Sequence, residues 1–142
     1  MTDRVRAALL TPASELLFIR RTRPGTDPYH VFIGGGIEPE DTDDRAALTR
    51  EIREEIAGHG VTVQRLLHTD RTTDGTGEER FYLATLTGWD FDARRPGEFT
   101  HTDRGTYELT AVPATPTALS GINLMPPAAA HALITALKDR PA

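Results

Sequence analysis

Residues 34–56 read GGGIEPEDTDDRAALTREIREEI, in which three glycines and an acidic loop precede an amphipathic segment. The apolar residues of the second half recur with the period of an α-helix. We predict this helix over residues 43–57, with Thr42 as its N-cap and Gly58 as its stop signal. The apolar stripe that would pack it against a sheet consists of Leu48, Ile52 and Ile56.

Glu51, Glu54 and Glu55 lie on one face of this predicted helix, because each residue of an α-helix turns by about 100°. Two like charges four residues apart cost about 0.2–0.5 kcal/mol unless a cation lies between them. Ligands that consist only of oxygens indicate a hard cation, which is either Mg²⁺ or Mn²⁺. Glutamates at this spacing alone are also typical of a solvated helix face. The preceding glycine triplet, whose backbone can approach an ion closely, favours the metal site.

A metal site of this kind suits the hydrolysis of a diphosphate bond. The negative charge of a pyrophosphate group repels an attacking water, and metal ions that bridge its oxygens neutralise that charge. A metal ion also lowers the pKa of a bound water, and a neighbouring carboxylate can accept the proton. We therefore predict a Mg²⁺-dependent enzyme that hydrolyses a diphosphate-containing, nucleotide-type substrate.

The pattern outside this segment predicts strands before and after the helix. These strands span Val5–Leu10, Glu15–Arg20, His30–Ile33, Val61–Thr69, Glu79–Thr87 and Thr106–Val112. A second helix is predicted to begin at Pro126-Pro127 and to end near Lys138. Thr22–Pro28 and Trp89–Asp103 are predicted loops. Strands, a helix, further strands and a helix in this order are typical of an α+β or sandwich fold rather than a doubly wound parallel sheet.

The composition limits the classes of partner. The 142 residues fit a single domain, which we expect to span residues 1–142. A net charge of −5 argues against a nucleic-acid duplex as the partner, but is compatible with a small phosphorylated ligand. The lack of cysteine excludes disulfides, a thiolate nucleophile and cysteine zinc sites. No apolar run has the length of a signal peptide or a membrane span, so we expect a cytoplasmic protein, and a homodimer is left open.

The segment at 34–56 resembles the Nudix box, in which a glycine and an acid precede Arg-Glu, an aliphatic residue, any residue and Glu-Glu. Residues 50–55, REIREE, match its second half at every position, and Gly34, Gly35 and Glu38 match the loop before it. The resemblance implies a MutT-like Nudix hydrolase, a pyrophosphatase with a mixed β-sheet between α-helices.

The resemblance also implies roles for individual residues. Glu51, Glu54 and Glu55 would be metal ligands, with the Gly35 carbonyl as a further ligand. Arg50 would hold the glutamates in place through a salt bridge, so that Arg50, Glu51 and Glu54 form the catalytic group.

Three positions depart from the family pattern. The loop acid is displaced, and Asp41 is the predicted partner of Arg50. Ile33 stands where the family usually has proline, and Ala57-Gly58 replaces the usual glycine-aliphatic ending. None of these departures removes a predicted metal ligand.

Further candidates lie outside the box. Arg20, Arg21 and Arg23 are predicted to bind substrate phosphate, because arginine donates bidentate hydrogen bonds to phosphate oxygens; a solvated strand end is the alternative. Glu98, in the long loop, resembles the downstream glutamate that in this family often joins the metals or acts as the base. Glu79 is its competitor for that role.

Several functions remain in competition. The first substrate choice is a nucleoside triphosphate, and a nucleotide sugar or ADP-ribose is the rival. A catalytically silent, nucleotide-sensing Nudix module would typically have lost box glutamates, and all three are present here. An isoprenoid-diphosphate isomerase of the same fold would resemble enzymes that use a cysteine, which this sequence lacks.

Overall fold

The computed structural model describes residues 3–72, 74–90 and 106–139, which form eight strands and three helices. The strands are β1 (Arg4–Leu10), β2 (Glu15–Arg23), β3 (Thr26–Val31), β4 (Ile33–Gly36), β5 (Thr62–Arg71), β6 (Glu78–Thr85), β7 (Thr106–Pro113) and β8 (Leu124–Met125). The helices are α1 (Asp44–Ile56), α2 (Pro116–Ser120) and α3 (Pro127–Lys138).

All the strands belong to one curled, mixed sheet in the order β5-β6-β1-β2-β3-β8, with β4 paired to β1 and β7 paired to β2. β1 runs parallel to β6 and β3 runs parallel to β8, whereas the other pairs are antiparallel. β1 pairs with β2 at Leu9 and Leu10, and its first half, residues 4–7, pairs with β4. The glycine strand β4 is therefore held along β1, and α1 packs against it.

Two hydrophobic cores lie on the two faces of the sheet. Alternation along β2 places Leu17 and Ile19 in the core that α1 covers, and Leu16 and Phe18 in the core that α3 covers. The α1 side of the first core consists of Ala47, Leu48, Ile52 and Ile56, and the α3 side of the second consists of Ala129, Leu133 and Leu137. The predicted α+β architecture, a mixed sheet between helices, is confirmed.

α1 is one residue shorter than predicted at each end, because it begins at Asp44 and ends at Ile56. Asp43, not Thr42, is the N-cap, because its carboxylate accepts a hydrogen bond from the Ala46 N–H at 2.8 Å. At the other end Ala57 adopts a left-handed backbone with φ of 53° and closes the helix. The predicted apolar stripe on α1 is fully buried.

The prediction of a loop over Thr22–Pro28 is wrong. β2 continues to Arg23 and β3 begins at Thr26, because Gly25, with φ of +77°, allows a tight turn between them. The exposed strand β3 lacks the apolar alternation that would have revealed it. β3 ends at Val31 and β4 begins at Ile33, so the single strand predicted at this point is two strands.

The short elements α2 and β8 were also not predicted. They contain five and two residues, too few to show a period in the sequence. The predicted loop after Trp89 falls largely outside the described residues, and so does Glu98. None of the described helices combines the length and the apolar character needed to cross a membrane.

Candidate active site

The glycines of β4 bring the backbone unusually close to its neighbours. A Cβ on Gly34 would lie 2.0 Å from the Val5 carbonyl oxygen of β1, so this position requires glycine. A Cβ on Gly35 would lie 2.7 Å from the carboxylate atoms of Glu51. The absence of a side chain on Gly35 therefore lets the Glu51 carboxylate rest directly on the strand.

Arg50 connects the loop, β4 and the glutamate face of α1. Its Nη2 donates to the Gly36 carbonyl at 3.0 Å, which joins α1 to the end of β4. Its Nη1 donates to Glu51 Oε1 at 3.0 Å and to Glu54 Oε2 at 3.2 Å. Because only 14% of the Arg50 side chain is exposed, these hydrogen bonds are shielded from solvent.

Asp41 is the main partner of Arg50, as predicted. The guanidinium donates to both carboxylate oxygens, from Nε at 3.1 Å and from Nη2 at 2.8 Å. These bonds hold the pKa of the Asp41 carboxyl below its usual value, and the Glu38 N–H, which also donates to this carboxylate, acts in the same direction. In turn Asp41 and Glu51 raise the pKa of Arg50, so the guanidinium stays charged. The displaced loop acid thus still pairs with the box arginine.

Glu51 and Glu55 contact successive glycines of β4. Burial raises the pKa of the Glu51 carboxyl, and the hydrogen bond from Arg50 opposes this rise. The Gly34 N–H donates to Glu55 Oε2 at 3.3 Å. The face of α1 that carries Glu51 and Glu55 therefore lies against β4, where backbone carbonyls and carboxylates are near one another.

The donor set of this face fits a hard divalent cation. It consists of the Glu51, Glu54 and Glu55 carboxylates and the backbone carbonyls of β4, which are all oxygen ligands. Within residues 3–72, 74–90 and 106–139, no three acidic or histidine side chains already converge on one point. Glu51 and Glu54 share the Arg50 guanidinium instead. Binding of one ion by all three glutamates would therefore involve a change of side-chain rotamer along α1.

The three candidate phosphate ligands of β2 have different environments. Arg20 pairs with Glu108 of β7 at 3.3 Å, and Arg23 is exposed at the end of the strand. Arg21 donates from Nη2 to the Tyr107 hydroxyl, and its guanidinium carbon lies 4.4 Å from the centre of the Tyr107 ring. Its buried Nε has no hydrogen-bond partner among the described residues. Of the three arginines, Arg21 alone has a buried side-chain donor that lacks a partner in the described part of the chain.

Arg21 also lines a cavity of about 270 Å³. Phe32, Phe81 and Met125 supply apolar walls, and Arg6 of β1 and Glu79 of β6 form an ion pair of 2.9 Å in the lining. Gly34 connects a lining residue of the cavity with a glutamate of α1 through its two backbone hydrogen bonds. Arg6 Nη1 donates to the Gly34 carbonyl at 3.3 Å, while the N–H of the same glycine donates to Glu55.

A second charged group fixes the start of α1. Arg80 of β6 donates to both oxygens of Asp44, from Nε at 2.7 Å and from Nη2 at 2.9 Å. The Tyr82 hydroxyl donates a hydrogen bond to the same carboxylate. Burial raises the pKa of Tyr82 to about 12, and Asp44 contributes to the rise. Arg80 holds the pKa of Asp44 below its usual value. The first residue of the helix is thus attached to the sheet.

Sequence reasoning did not find these contacts of Arg6, Asp44, Arg80 and Tyr82. One signal was present, because Arg6 is a charged residue between the apolar residues of β1. Glu79 was considered only as an alternative to Glu98 for the downstream carboxylate. The structure pairs it with Arg6 in the cavity wall, away from the glutamates of α1.

Comparison with known proteins agrees with this arrangement. A family profile described as NUDIX domain matches residues 1–140. No curated protein sequence matches the chain. Among solved structures, the E. coli ORF135 protein is 25% identical with a TM-score of 0.59, and the match covers 100% of this chain and 94% of that one.

Two further structures show the same fold at lower identity. An ADP-ribose pyrophosphatase from Streptococcus suis is 17% identical with a TM-score of 0.63, covering 96% of this chain and 90% of that one. A MutT NUDIX hydrolase from Burkholderia pseudomallei is 24% identical with a TM-score of 0.55, covering 93% and 95%. With the profile match over nearly the whole chain and the box glutamates arranged along β4, the protein belongs to the Nudix hydrolase family.

Proposed function

We propose that this Nudix hydrolase cleaves a diphosphate bond in a nucleoside diphosphate linked to another moiety. The reaction would use Mg²⁺, or Mn²⁺ in its place. A nucleoside triphosphate is the first choice of substrate. The observation that carries the proposal is the glutamate face of α1, where Glu51 rests on Gly35 and Glu55 accepts a hydrogen bond from Gly34. This face offers several carboxylates beside a backbone that has no side chains to exclude an ion.

Glu51, Glu54, Glu55 and the Gly35 carbonyl would hold the metal. When bound, the metal would neutralise phosphate charge and lower the pKa of a water. We assign to Glu54 the acceptance of a proton from the attacking water, since it lies on the ligand face and within 3.2 Å of Arg50. Glu51 shares the catalytic role through its place between Arg50 and β4.

Arg50 is a positioning residue in this scheme. Its bonds to Asp41 and to the Gly36 carbonyl fix the guanidinium, and the fixed guanidinium orients Glu51 and Glu54. Arg21, which lines the cavity, is the strongest candidate of the three strand arginines for the substrate phosphate. Arg20 and Arg23 are assigned to the same phosphate-binding strand end. Glu98 remains a proposed downstream carboxylate that lies outside the described residues.

The alternative substrates are a nucleotide sugar and ADP-ribose. One structural neighbour is named an ADP-ribose pyrophosphatase, which supports keeping ADP-ribose among the alternatives. A catalytically silent nucleotide-sensing module is disfavoured because all three box glutamates are present.

The test is hydrolysis of a substrate panel in the presence of Mg²⁺. Nucleoside triphosphates, nucleotide sugars, ADP-ribose and dinucleoside polyphosphates are incubated with the enzyme, and released phosphate or pyrophosphate is measured. We expect Glu54→Gln to lower kcat by about 10²- to 10⁴-fold on the best substrate. Glu40→Gln, at an exposed position of the same acidic loop, is the matched control and should retain activity.

Each outcome of this test supports or contradicts one proposed role. Wild type indistinguishable from Glu54→Gln on every substrate contradicts the enzymatic proposal and favours the sensing module if nucleotides still bind. Loss of turnover with Mg²⁺ binding retained supports a role of Glu54 in water activation. Loss of both indicates that Glu54 acts as a ligand.

We also propose a cytoplasmic location, which the cysteine-free composition supports because it suits a reducing compartment. Small nucleotides, rather than a nucleic-acid duplex or a membrane, are the proposed partners. The homodimer left open by the sequence is tested by light scattering of the purified protein.

A further inference from the structure

Arg21 of β2 lies between two tyrosines of the neighbouring strands. In the register of the sheet it is directly opposite Tyr29 of β3 on one side and Tyr107 of β7 on the other. Residues that are directly opposite in an antiparallel pair have Cβ atoms about 4.5–5.5 Å apart and point to the same face of the sheet. This is the face on which α1 packs, because Arg21 alternates along β2 with Leu17 and Ile19, which belong to the core that α1 covers.

The two tyrosines contact Arg21 unequally. The guanidinium carbon lies 4.4 Å from the centre of the Tyr107 ring and 5.9 Å from the centre of the Tyr29 ring. A guanidinium within about 6 Å of a tyrosine ring centre is attracted by the face of the ring. Arg21 Nη2 also donates a hydrogen bond to the Tyr107 hydroxyl. Tyr107 therefore makes the stronger contact, because it holds the guanidinium through both its ring and its hydroxyl.

The Tyr107 ring is itself anchored in the fold. It is partly buried and packs against the core that α1 covers. An arginine side chain has many rotamers when it is free, and it loses this freedom when it binds a phosphate. A guanidinium that is already held in one orientation loses less, and it binds the phosphate more tightly for that reason. The contact with Tyr107 thus prepares Arg21 for a ligand in the cavity that Arg21 lines.

We propose that Tyr107 is a positioning residue, which holds the Arg21 guanidinium in the orientation that binds a phosphate group of the substrate. The inference rests on the proposed function, in which Arg21 is a phosphate ligand. A guanidinium has five N–H donors, and the Tyr107 hydroxyl accepts from one of them, so phosphate oxygens can accept from others. Tyr107 contacts no reacting atom in this scheme and acts only through Arg21.

The test is a double-mutant cycle on the best substrate of the panel. Tyr107→Phe removes the hydrogen bond and keeps the ring, so it should raise KM by about three- to tenfold. We expect kcat to stay within about twofold, because a contact made equally in the ground state and the transition state changes KM alone. Tyr107→Leu also removes the ring and should raise KM further. In the background of Arg21→Ala, neither change should alter KM. Thr110→Val is the matched control, since it removes a β7 hydroxyl that donates to the Phe18 carbonyl, and it should keep the wild-type KM.

Binding of methylenediphosphonate gives a readout that does not depend on turnover. This pyrophosphate analogue has a carbon bridge that water does not cleave, and its affinity in the presence of Mg²⁺ is measured by calorimetry. Weaker binding to Tyr107→Phe than to wild type supports the role of Tyr107 even if no substrate is hydrolysed, a result that would contradict the proposed function alone.

Three results would overturn the role of Tyr107. The first is hydrolysis by Tyr107→Phe with the KM and the analogue affinity of the wild type. The second is a rise of KM on Tyr107→Phe that is equally large in the background of Arg21→Ala. The third is a wild-type KM in Arg21→Ala itself. Because phenylalanine keeps the packing of the ring, this cycle decides the proposal even if Tyr107→Leu does not fold.

Discussion

Replacement of Gly35 by alanine tests whether close contact with β4 positions Glu51. The backbone of Gly35 is outside the left-handed region, so alanine adds no backbone strain, and the three atoms nearest to its Cβ would be those of the Glu51 carboxylate. The added Cβ would lie 2.7 Å from three atoms of that carboxylate, whereas an ordinary contact begins at 3.4 Å. The carboxylate must therefore move by about 0.7 Å, the difference between these distances.

A shift of this size is large for a metal ligand. Metal–oxygen distances at a competent site vary by about 0.2 Å, so a methyl group that keeps the Glu51 carboxylate farther from β4 would hinder it from taking a ligand position there. The shift would also stretch the 3.0 Å hydrogen bond from Arg50 to Glu51. We expect Gly35→Ala to lower kcat/KM by about 10- to 100-fold and to raise the Mg²⁺ concentration that gives half of the maximal rate. The loss of stability should be small, because a flexible side chain can yield.

The assay measures the hydrolysis rate against Mg²⁺ concentration, together with the midpoint of thermal unfolding in EDTA. Gly121→Ala is the matched control, since its Cβ would meet its nearest neighbour at 3.5 Å. Wild-type rate and wild-type Mg²⁺ dependence in Gly35→Ala would refute the argument that β4 positions Glu51. A large fall of the unfolding midpoint would instead show that Gly35→Ala lowers the rate by destabilising the fold.

Three further predictions concern the attachment of α1. Ile52→Ala should lower the free energy of unfolding by about 2–5 kcal/mol, measured by urea denaturation, because the side chain is fully buried against the sheet. The folded state raises the pKa of Tyr82 to about 12, so stability should fall as pH rises from about 10, where the unfolded tyrosine ionises, to 12. Tyr82→Phe should abolish this part of the decline, and an unchanged pH profile would contradict the assignment. The folded state lowers the pKa of Asp44, so its contribution is present above pH 3.8 and is lost as pH falls through the lowered pKa. Asp44→Asn should be less stable than wild type at pH 7 and approach it in acid, and a constant difference would argue against the pair with Arg80.

The parts of the molecule that were predicted correctly depend on local order in the sequence. The period of Leu48, Ile52 and Ile56 defines both the helix and the face that packs on the sheet, and the same geometry places Glu51 and Glu55 beside β4. The partner of Arg50 could also be predicted from the sequence, because Asp41 is only nine residues before it, in the loop that leads to α1.

The parts that were missed depend on contacts between distant residues. Arg6 and Glu79 are 73 residues apart and meet because β1 and β6 run parallel, a pairing that no local pattern specifies. Asp44 of α1 and Arg80 of β6 are 36 residues apart, and no local pattern predicts their contact either. The first part of β3, residues 26–29, was missed for a different reason, since its residues do not alternate with apolar ones.

Gly34 has a consequence for the energetics of the site. Its carbonyl accepts a hydrogen bond from Arg6 and its N–H donates to Glu55, so one residue of the backbone is shared by the cavity and the helix face. A ligand that changes the hydrogen bond of Arg6 to Gly34 would therefore change the position of the N–H that Glu55 accepts from. Thermodynamic linkage then requires reciprocity: whatever factor a ligand at Arg6 adds to the affinity for a cation at Glu55, the cation adds to the affinity for that ligand. Cooperativity between the two halves of a substrate complex would thus be carried by a single glycine.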